Sequence, residues 1–375
     1  MDGLAELIGR NIDALRISKG ITKTDLAVLL GVTRPTLDNY IKGKQIIDSG
    51  KLALLARKFN RSMDYFLSST EEHGSYLMYR AERAIDTPIM IVDSIMHRFD
   101  LYADLLLNFK KEAVFVPPTY SIRLSGQQKL TESDKRMIEE VALKCRRALS
   151  LEGITGGDLF WAVEEAGINV LAFPTDPNAK VWGASAYSHE SGSYVYVNDH
   201  DSIPEERKIF SLIHELGHLV LHRDLYWHDP EELKYMSKRK DINEQVADHF
   251  ASSFLLPRAR LEREISILGN DPSISNIFTL KRKYNVSFQA VVMALRSYGL
   301  LSKEAASKFF AFLNSRGYMD TEPRPLPYIE KNHQLTFCLQ NLYEHGEIGM
   351  NKVAEYLGLS LLEARKVVRE WGVGG

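Results

Sequence analysis

Apolar positions in residues 1–68 recur three and four apart, and this spacing predicts a bundle of short helices. Leu4, Leu7, Ile8, Ile12 and Leu15 form one stripe running up to Gly20. Thr22-Lys23-Thr24-Asp25 has the order of a capping box and opens a second helix carrying Leu26, Ala27, Leu29 and Leu30. A third helix over about Arg34 to Ile41 ends at Lys42-Gly43-Lys44. Leu52, Leu54, Leu55, Ala56 and Phe59 predict a fourth, and Met63, Phe66 and Leu67 close the core. Ala27, then Gly31 four residues on, then Val32 and Leu37, is the pattern of a helix-turn-helix.

The pattern changes after Thr70. Glu71 to Ser75 is polar and reads as a linker. Thr87-Pro88 starts a long helix, with proline in its first turn. Its apolar positions (Ile89, Val92, Ile95 with Met96, Phe99, Tyr102 with Ala103, Leu106) form a seam about two heptads long. Packing within the chain and homodimerisation both account for that seam. Pro117-Pro118 ends the connecting region, and Thr131-x-x-Asp134 caps a helix running to about Ser150. A further helix over Asp158–Ala166 ends at Gly167, and Ile168–Phe173 reads as a strand. Trp182–Tyr187 and Tyr194–Asn198 form a β-hairpin about a His189–Ser193 turn. An edge of such a sheet can accept an extended peptide. The tail, Leu335 to Trp371, repeats the pattern of small residue, glycine and following helix at Ala354, Gly358 and Leu359. Its glutamates (344, 347, 355, 363, 370) favour a structural or protein-binding role over DNA contact.

Candidate chemistry centres on Phe210–His222, which contains His214-Glu215-x-x-His218. On a helix, histidines four apart share one face about one turn apart, so both ring nitrogens can take adjacent corners of a zinc tetrahedron. Glu215 reaches the same cleft without taking a corner and can accept a proton from the metal's water. Ile209, Phe210, Leu212, Ile213, Leu216, Leu219 and Val220 make the helix apolar nearly all round, as in a buried helix. In a second helical stretch, Asn243 to Ala251, Glu244 and Asp248 share a face. Glu244 is the expected third zinc ligand, and Asp248 the carboxylate that holds the ring N–H of a ligating histidine. Ala247 and Ala251 let this helix approach the first. Two histidines and one carboxylate leave a corner for water, as in a catalytic zinc site. His222 competes with Glu244. However, positions i and i+8 of a straight helix lie about 12 Å apart, so His222 is expected to be a helix-end residue. His249 is off the Glu244 face and reads as packing or a support to the ligands.

Composition adds limits. At 375 residues, with 45% hydrophobic and 26% charged residues, the chain is an ordinary folded protein of two or three domains. Cys145 and Cys338 are too few for a disulfide framework, and Cys145 falls on an apolar helical stripe with Met137, Ile138, Val141 and Leu149. No signal peptide and no membrane span are expected, so the reading is cytoplasmic. The net charge of −2 makes any nucleic-acid surface local. Residues 1–70 hold 11 Lys and Arg against seven Asp and Glu, a local excess of +4. A helical bundle that binds only protein is the competing reading of these residues.

The first 68 residues resemble the XRE family of phage-repressor-like DNA-binding domains, through Leu26-Ala27…Gly31-Val32, Ile41-Lys42-Gly43-Lys44 and Met63-Asp64-Tyr65-Phe66-Leu67. The resemblance implies double-stranded DNA as a partner, with Thr33, Arg34, Thr36 and Asn39 near bases and Lys23, Lys42 and Lys44 near phosphates. One such domain makes few phosphate contacts, so a homodimer is expected to bind. Residues 158–323 resemble the ImmA/IrrE metallopeptidases. The matching stretches include Trp182-Gly183-Ala184-Ser185-Ala186, Arg207-Lys208-Ile209-Phe210, the His214–His218 motif, Glu244-x-x-Ala247-Asp248, Leu255-Leu256-Pro257 and Lys281-Arg282-Lys283-Tyr284. This resemblance implies zinc on His214, His218 and Glu244, and a repressor or antitoxin as protein partner. Asp248 departs from the family, where asparagine often stands, but keeps a hydrogen-bond acceptor.

The expected fold is mainly α with a small β-sheet (α+β). It comprises a helix-turn-helix domain (1–70), a helical connector (71–130), a zincin-like metallopeptidase domain (131–330) and a small helical C-terminal region (331–375). The expected activity is zinc-dependent endoproteolysis with Glu215 as base, controlling transcription in a stress, mobile-element or phage-related response. The alternative is a transcriptional regulator whose peptidase fold senses a ligand or partner without proteolysis.

Overall fold

Four short helices build the N-terminal unit: α1 (Asp2–Ser18), α2 (Lys23–Leu30), α3 (Arg34–Ile41) and α4 (Ser49–Lys58). Each of the last three is started by a capping side chain, Thr22, Thr33 or Asp48, which accepts the backbone N–H three residues on. At Thr22 the Asp25 carboxylate takes the threonine hydroxyl at 2.6 Å, where a full capping box would have it take the backbone N–H. Gly31 ends α2 at φ 62°, a left-handed conformation that costs glycine little, and so fixes the tight turn into α3. Ile8, Ile12, Leu15, Leu26, Leu30, Leu37, Tyr40, Leu55 and Phe66 are buried together as the core.

The structure, a computed structural model, describes residues 2–18, 21–59, 66–67, 78–81, 89–109, 115–126, 128–188, 191–226, 242–268, 272–318 and 321–372. The Met63–Tyr65 end, the Glu71–Ser75 linker, the Thr87-Pro88 start and part of the expected hairpin turn (189–190) lie outside them. The described residues fall into two compact units, one within 2–67 and one within 78–372. Among them no helix is long and apolar enough to cross a membrane.

A four-stranded sheet, order β1-β3-β4-β2, organises the second unit. Its strands are β1 (Met78–Ala81), β2 (Ile168–Phe173), β3 (Gly183–Ser188) and β4 (Gly192–Asn198). β3 pairs antiparallel with β1 and β4, and β2 lies parallel to β4 from Ile168↔Ser193 to Phe173↔Asn198. Every residue of β3 and β4 is buried, as expected of strands covered on both faces. On one face lies α5 (Ile89–Phe109), whose Phe99 and Tyr102 rings meet Tyr194 edge-on at 6.0 and 5.7 Å. Thus the chain's own sheet covers the expected seam: Val92, Ile95, Met96, Phe99, Tyr102 and Ala103 are all buried. β1 is an addition to the expected helical connector. Four residues are too few for an alternating pattern to register.

Helices α6 (Glu132–Ala148) and α7 (Asp158–Glu165) lie between β1 and β2 in the chain, and α8 (Glu205–Leu221) and α9 (Ile242–Leu255) follow β4. Thr131 and Asp134 form a complete capping box at the start of α6. Cys145 sits in the core, where burial pushes its thiol up to about 12. Beside it Arg146, also buried, donates to the carbonyls of Phe254 (2.8 Å), Leu151 (2.7 Å) and Ile154 (2.7 Å), tying the end of α6 to α9. Replacing Arg146 with Leu leaves these carbonyls without their donor. It is expected to lower the unfolding free energy by about 3 kcal/mol or more. Urea titration checks this; a loss under about 1 kcal/mol would show that water or another donor takes the guanidinium's place.

The remaining helices enclose the same core: α10 (Arg258–Leu268), α11 (Ile274–Tyr284), α12 (Phe288–Ser297) and α13 (Lys303–Ser315). The tail forms α14 (His333–Glu344), α15 (Met350–Leu357) and α16 (Leu361–Glu370), with Gly358 at φ 64° in the turn between the last two. Mainly helical, with one small sheet, the protein is α+β.

Candidate functional site

Helix α8 begins in an unusual way, with charged residues buried in its first turn. Lys208 and Lys331 both bridge Asp199 and Glu205 at 2.7–3.0 Å, while Lys281 pairs with Glu206 and, at 3.1 Å, with Glu322. Glu205 and Glu206 also favour the positive end of the helix dipole. Two clusters of opposite charge therefore anchor the start of α8, and the rest of the helix lies within the core.

Two turns further on, the His214 and His218 Nε2 atoms approach to 3.1 Å. From α9 the Glu244 carboxylate reaches them, at 3.3 Å from His214 Nε2 and 3.5 Å from His218 Nε2. The three side chains lie within 4.8 Å of one another, with both histidines buried. Close helix packing permits this. Gly217 faces α9, where an added Cβ would meet Phe250 at 2.9 Å and the Ala247 Cα at 3.5 Å.

The other ring nitrogens are engaged as well. His214 Nδ1 lies 3.1 Å from Asp248 Oδ1, and His218 Nδ1 lies 2.8 Å from His222 Nδ1. With its proton on Nδ1, facing the Asp248 carboxylate, His214 turns a lone pair outward at Nε2. If His218 donates to His222 in the same way, its Nε2 lone pair joins the first. Two lone pairs and a carboxylate oxygen converging on one point suit a cation. The two Nε2 atoms are 3.1 Å apart and lie 3.3 and 3.5 Å from the two different oxygens of Glu244, spacings near the edge of about 3.3 Å that a tetrahedron with zinc–ligand bonds near 2.0–2.1 Å requires. The donor set fits zinc.

Glu215 is fully buried and turned towards the sheet. The Ser185 hydroxyl on β3 donates to its Oε2 at 2.8 Å, and the Tyr226 hydroxyl lies 2.7 Å from Ser185 Oγ. Since Ser185 gives its only proton to Glu215, Tyr226 must donate to Ser185. Gly183 makes room alongside: a Cβ there would sit 2.8 Å from Glu215 Cγ and Oε1. Gly183→Ala is therefore expected to shift the carboxylate by a fraction of an ångström or more. That should lower any hydrolysis by about 10²-fold, with metal content unchanged. Paired rate and metal assays check this; an unaffected rate would mean the carboxylate's position is not critical.

Sequence reasoning missed Gly183, Ser185 and Tyr226. The first two lie in the Trp182–Ala186 stretch, but nothing in the spacing marks Tyr226. His222 caps the end of α8 as expected and has the further contact with His218. His249 turns away to Glu139, 3.4 Å from it, in packing between α6 and α9.

In the N-terminal unit, Arg34 and Asn39 are exposed on α3, and Lys42 and Lys44 are exposed just beyond its end. Thr33 caps α3, and its hydroxyl lies 2.8 Å from that of Thr36, so these two are partnered with each other. Lys23, at the start of α2, pairs with Asp38 on α3 at 2.7 Å. This hydrogen bond, helped by Lys42 and Arg34, holds the Asp38 carboxyl below its usual range.

Residues 163–296, which include His214, Glu215, His218, Glu244 and Asp248, match the IrrE N-terminal-like domain. Residues 12–66 match a helix-turn-helix family. The chain is similar to uncharacterised HTH-type transcriptional regulators of Rickettsia conorii and Rickettsia prowazekii, each 38% identical over 65 residues, or 17% of this chain. It spans about half the length of these two curated relatives (52% and 50%). It is also similar to the antitoxin PezA of Streptococcus pneumoniae, 26% identical over 157 residues. That match covers 35% of this chain and 99% of the antitoxin.

Proposed function

We propose that this chain, which carries an XRE-type helix-turn-helix domain and an IrrE/ImmA-like peptidase domain, is a DNA-binding regulator that acts as a zinc-dependent endopeptidase. The observation that carries the reading is the convergence of His214 Nε2, His218 Nε2 and Glu244 within 4.8 Å, with Glu215 buried beside them.

In this reading His214, His218 and Glu244 hold zinc, and Asp248 and His222 orient the two imidazoles through Nδ1. Zinc supplies a Lewis acid that polarises a peptide carbonyl and makes water a competent nucleophile at neutral pH. Glu215 takes the proton from the attacking water and passes one to the leaving amine. Ser185, held by Tyr226, fixes the Glu215 carboxylate through Oε2.

A repressor-like or antitoxin-like protein is the proposed substrate, and double-stranded DNA the proposed partner of the N-terminal domain, bound as a dimer. Arg34→Ala and Asn39→Ala are expected to lose about 1–3 kcal/mol of discrimination between operator and unrelated duplex. Lys42→Ala and Lys44→Ala should weaken binding to every duplex and flatten its salt dependence. Titrations at several salt concentrations check both; equal losses on all sequences for Arg34→Ala would remove it from base contact.

The reading is tested by mixing the zinc-loaded chain with XRE-type repressors and antitoxins from the same cell, with and without a chelator. Chelator-sensitive cleavage of one of them is the expected result. Operator binding and regulation that persist unchanged in Glu215→Gln cells would favour a sensor that does not cut.

A further inference from the structure

The two outer edges of the sheet are closed in different ways. On the β2 side the Asn332 side chain clasps Ala172, its Oδ1 accepting the Ala172 N–H at 2.6 Å and its Nδ2 donating to the Ala172 carbonyl at 2.8 Å. At Ala172 that edge is capped by a residue just before the start of α14. On the β3 side the cover is a four-residue strand, β1, paired with residues 184–187 of the six in β3. Exposed strand edges recruit other strands, so both closures guard against pairing with a foreign chain.

Only the β3 edge borders the candidate site. Ser185, which donates to Glu215, lies opposite Arg80, and Ala184 opposite Ala81. Gly183, whose Cα lies against Glu215, is the next residue along. A polypeptide added to β3 would thus run its backbone past the proton-transfer group. That is how an extended peptide is presented to a site on a sheet edge. β1 already fills this position in the resting chain.

We infer that β1, part of the connector from the DNA-binding domain, is a built-in competitor for the extended polypeptide that would pair with the β3 edge beside Glu215. The inference rests on the peptidase reading for the consequence of docking, but not for docking itself. The helix-turn-helix match ends at residue 66 and β1 starts at Met78, so the blocking strand follows closely on the DNA-binding domain in sequence. A four-residue edge strand makes few ladder bonds and can be exchanged for a longer one. Displacing β1 would open the site without any change in the sheet itself.

The test uses the full chain carrying Glu215→Gln, in which no turnover confuses binding. Tyr79→Pro with Arg80→Pro removes whichever of the two alternating N–H groups faces β3, while Tyr79→Ala with Arg80→Ala keeps it. Hydrogen exchange at those amides of residues 184–187 that face β1 should be at least tenfold faster in the proline variant and unchanged in the alanine variant, while those facing β4 stay protected in both. Adding β-casein, an extended polypeptide, should restore protection in the proline variant. Unchanged exchange in the proline variant would overturn the blocking role, and failure of casein to protect the freed edge would overturn docking.

A second variant covers the case in which proline unfolds the chain. Tyr79→Cys with Ala186→Cys joins two residues in direct register, and oxidation should lock β1 in place. Casein binding should be lost on oxidation and return on reduction; equal binding in both states would overturn the inference. With Glu215 restored, casein should be cut at least tenfold faster by the proline variant than by the wild type, and equal cutting would overturn the gating. Casein that protects the edge but is cut by no form of the chain would leave docking intact and remove the peptidase reading instead.

Discussion

Glu215→Gln and the wild type are both expected to hold one zinc per chain, and the variant to hydrolyse peptide bonds about 10²–10⁴-fold more slowly. The two halves of this result have separate causes. His214, His218 and Glu244 supply the donors from α8 and α9, while the Glu215 carboxylate is held by Ser185 of β3, so its replacement is expected to leave the donor set intact. Glutamine has the same shape, and its amide oxygen can still accept the Ser185 hydroxyl that now meets Oε2 at 2.8 Å. What glutamine lacks is a basic site for the proton of the attacking water. Metal analysis, circular dichroism and a cleavage assay on one preparation separate these effects. A variant that binds zinc and still cleaves at the wild-type rate would remove Glu215 from the role of base.

The second large effect is expected in metal affinity. Asp248→Ala should weaken zinc binding about 10–100-fold, because His214 Nδ1 loses the carboxylate 3.1 Å away that sets its tautomer and ring angle. By the usual tenfold per 1.4 kcal/mol, this corresponds to about 1.4–2.8 kcal/mol. Asp248→Asn keeps a hydrogen-bond acceptor and should fall between alanine and wild type. His222→Ala should have a similar effect through His218, whose Nδ1 it faces at 2.8 Å. Competition with a chromogenic chelator measures all three. Wild-type affinity in Asp248→Ala would mean that packing alone orients His214.

Those residues illustrate what the sequence makes legible. His214 and His218, four apart on an apolar helix, and Glu244 and Asp248, four apart on the next, fall on common faces whatever the rest of the chain does. Local caps were equally readable: Thr131 and Asp134 form the expected box, and Ile168–Phe173 is the expected strand. Contacts between distant parts of the chain left no periodic trace. The Ser185–Tyr226 pair joins a strand to the region beyond α8, 41 residues away. The stripe on α5 announced that it would be buried but not against what, since a sheet and a second helix ask for the same apolar residues. β1 was illegible because its partner, not its composition, makes it a strand.

A survey of protein termini in cells tests directly whether this chain cuts another protein through Glu215. Cells expressing the wild-type chain are compared by mass spectrometry with cells expressing Glu215→Gln, before and after the response under study is induced. New termini inside a repressor-like or antitoxin-like protein are expected with wild type and not with Glu215→Gln. The same termini in both cell lines, together with unaltered regulation, would contradict the peptidase reading.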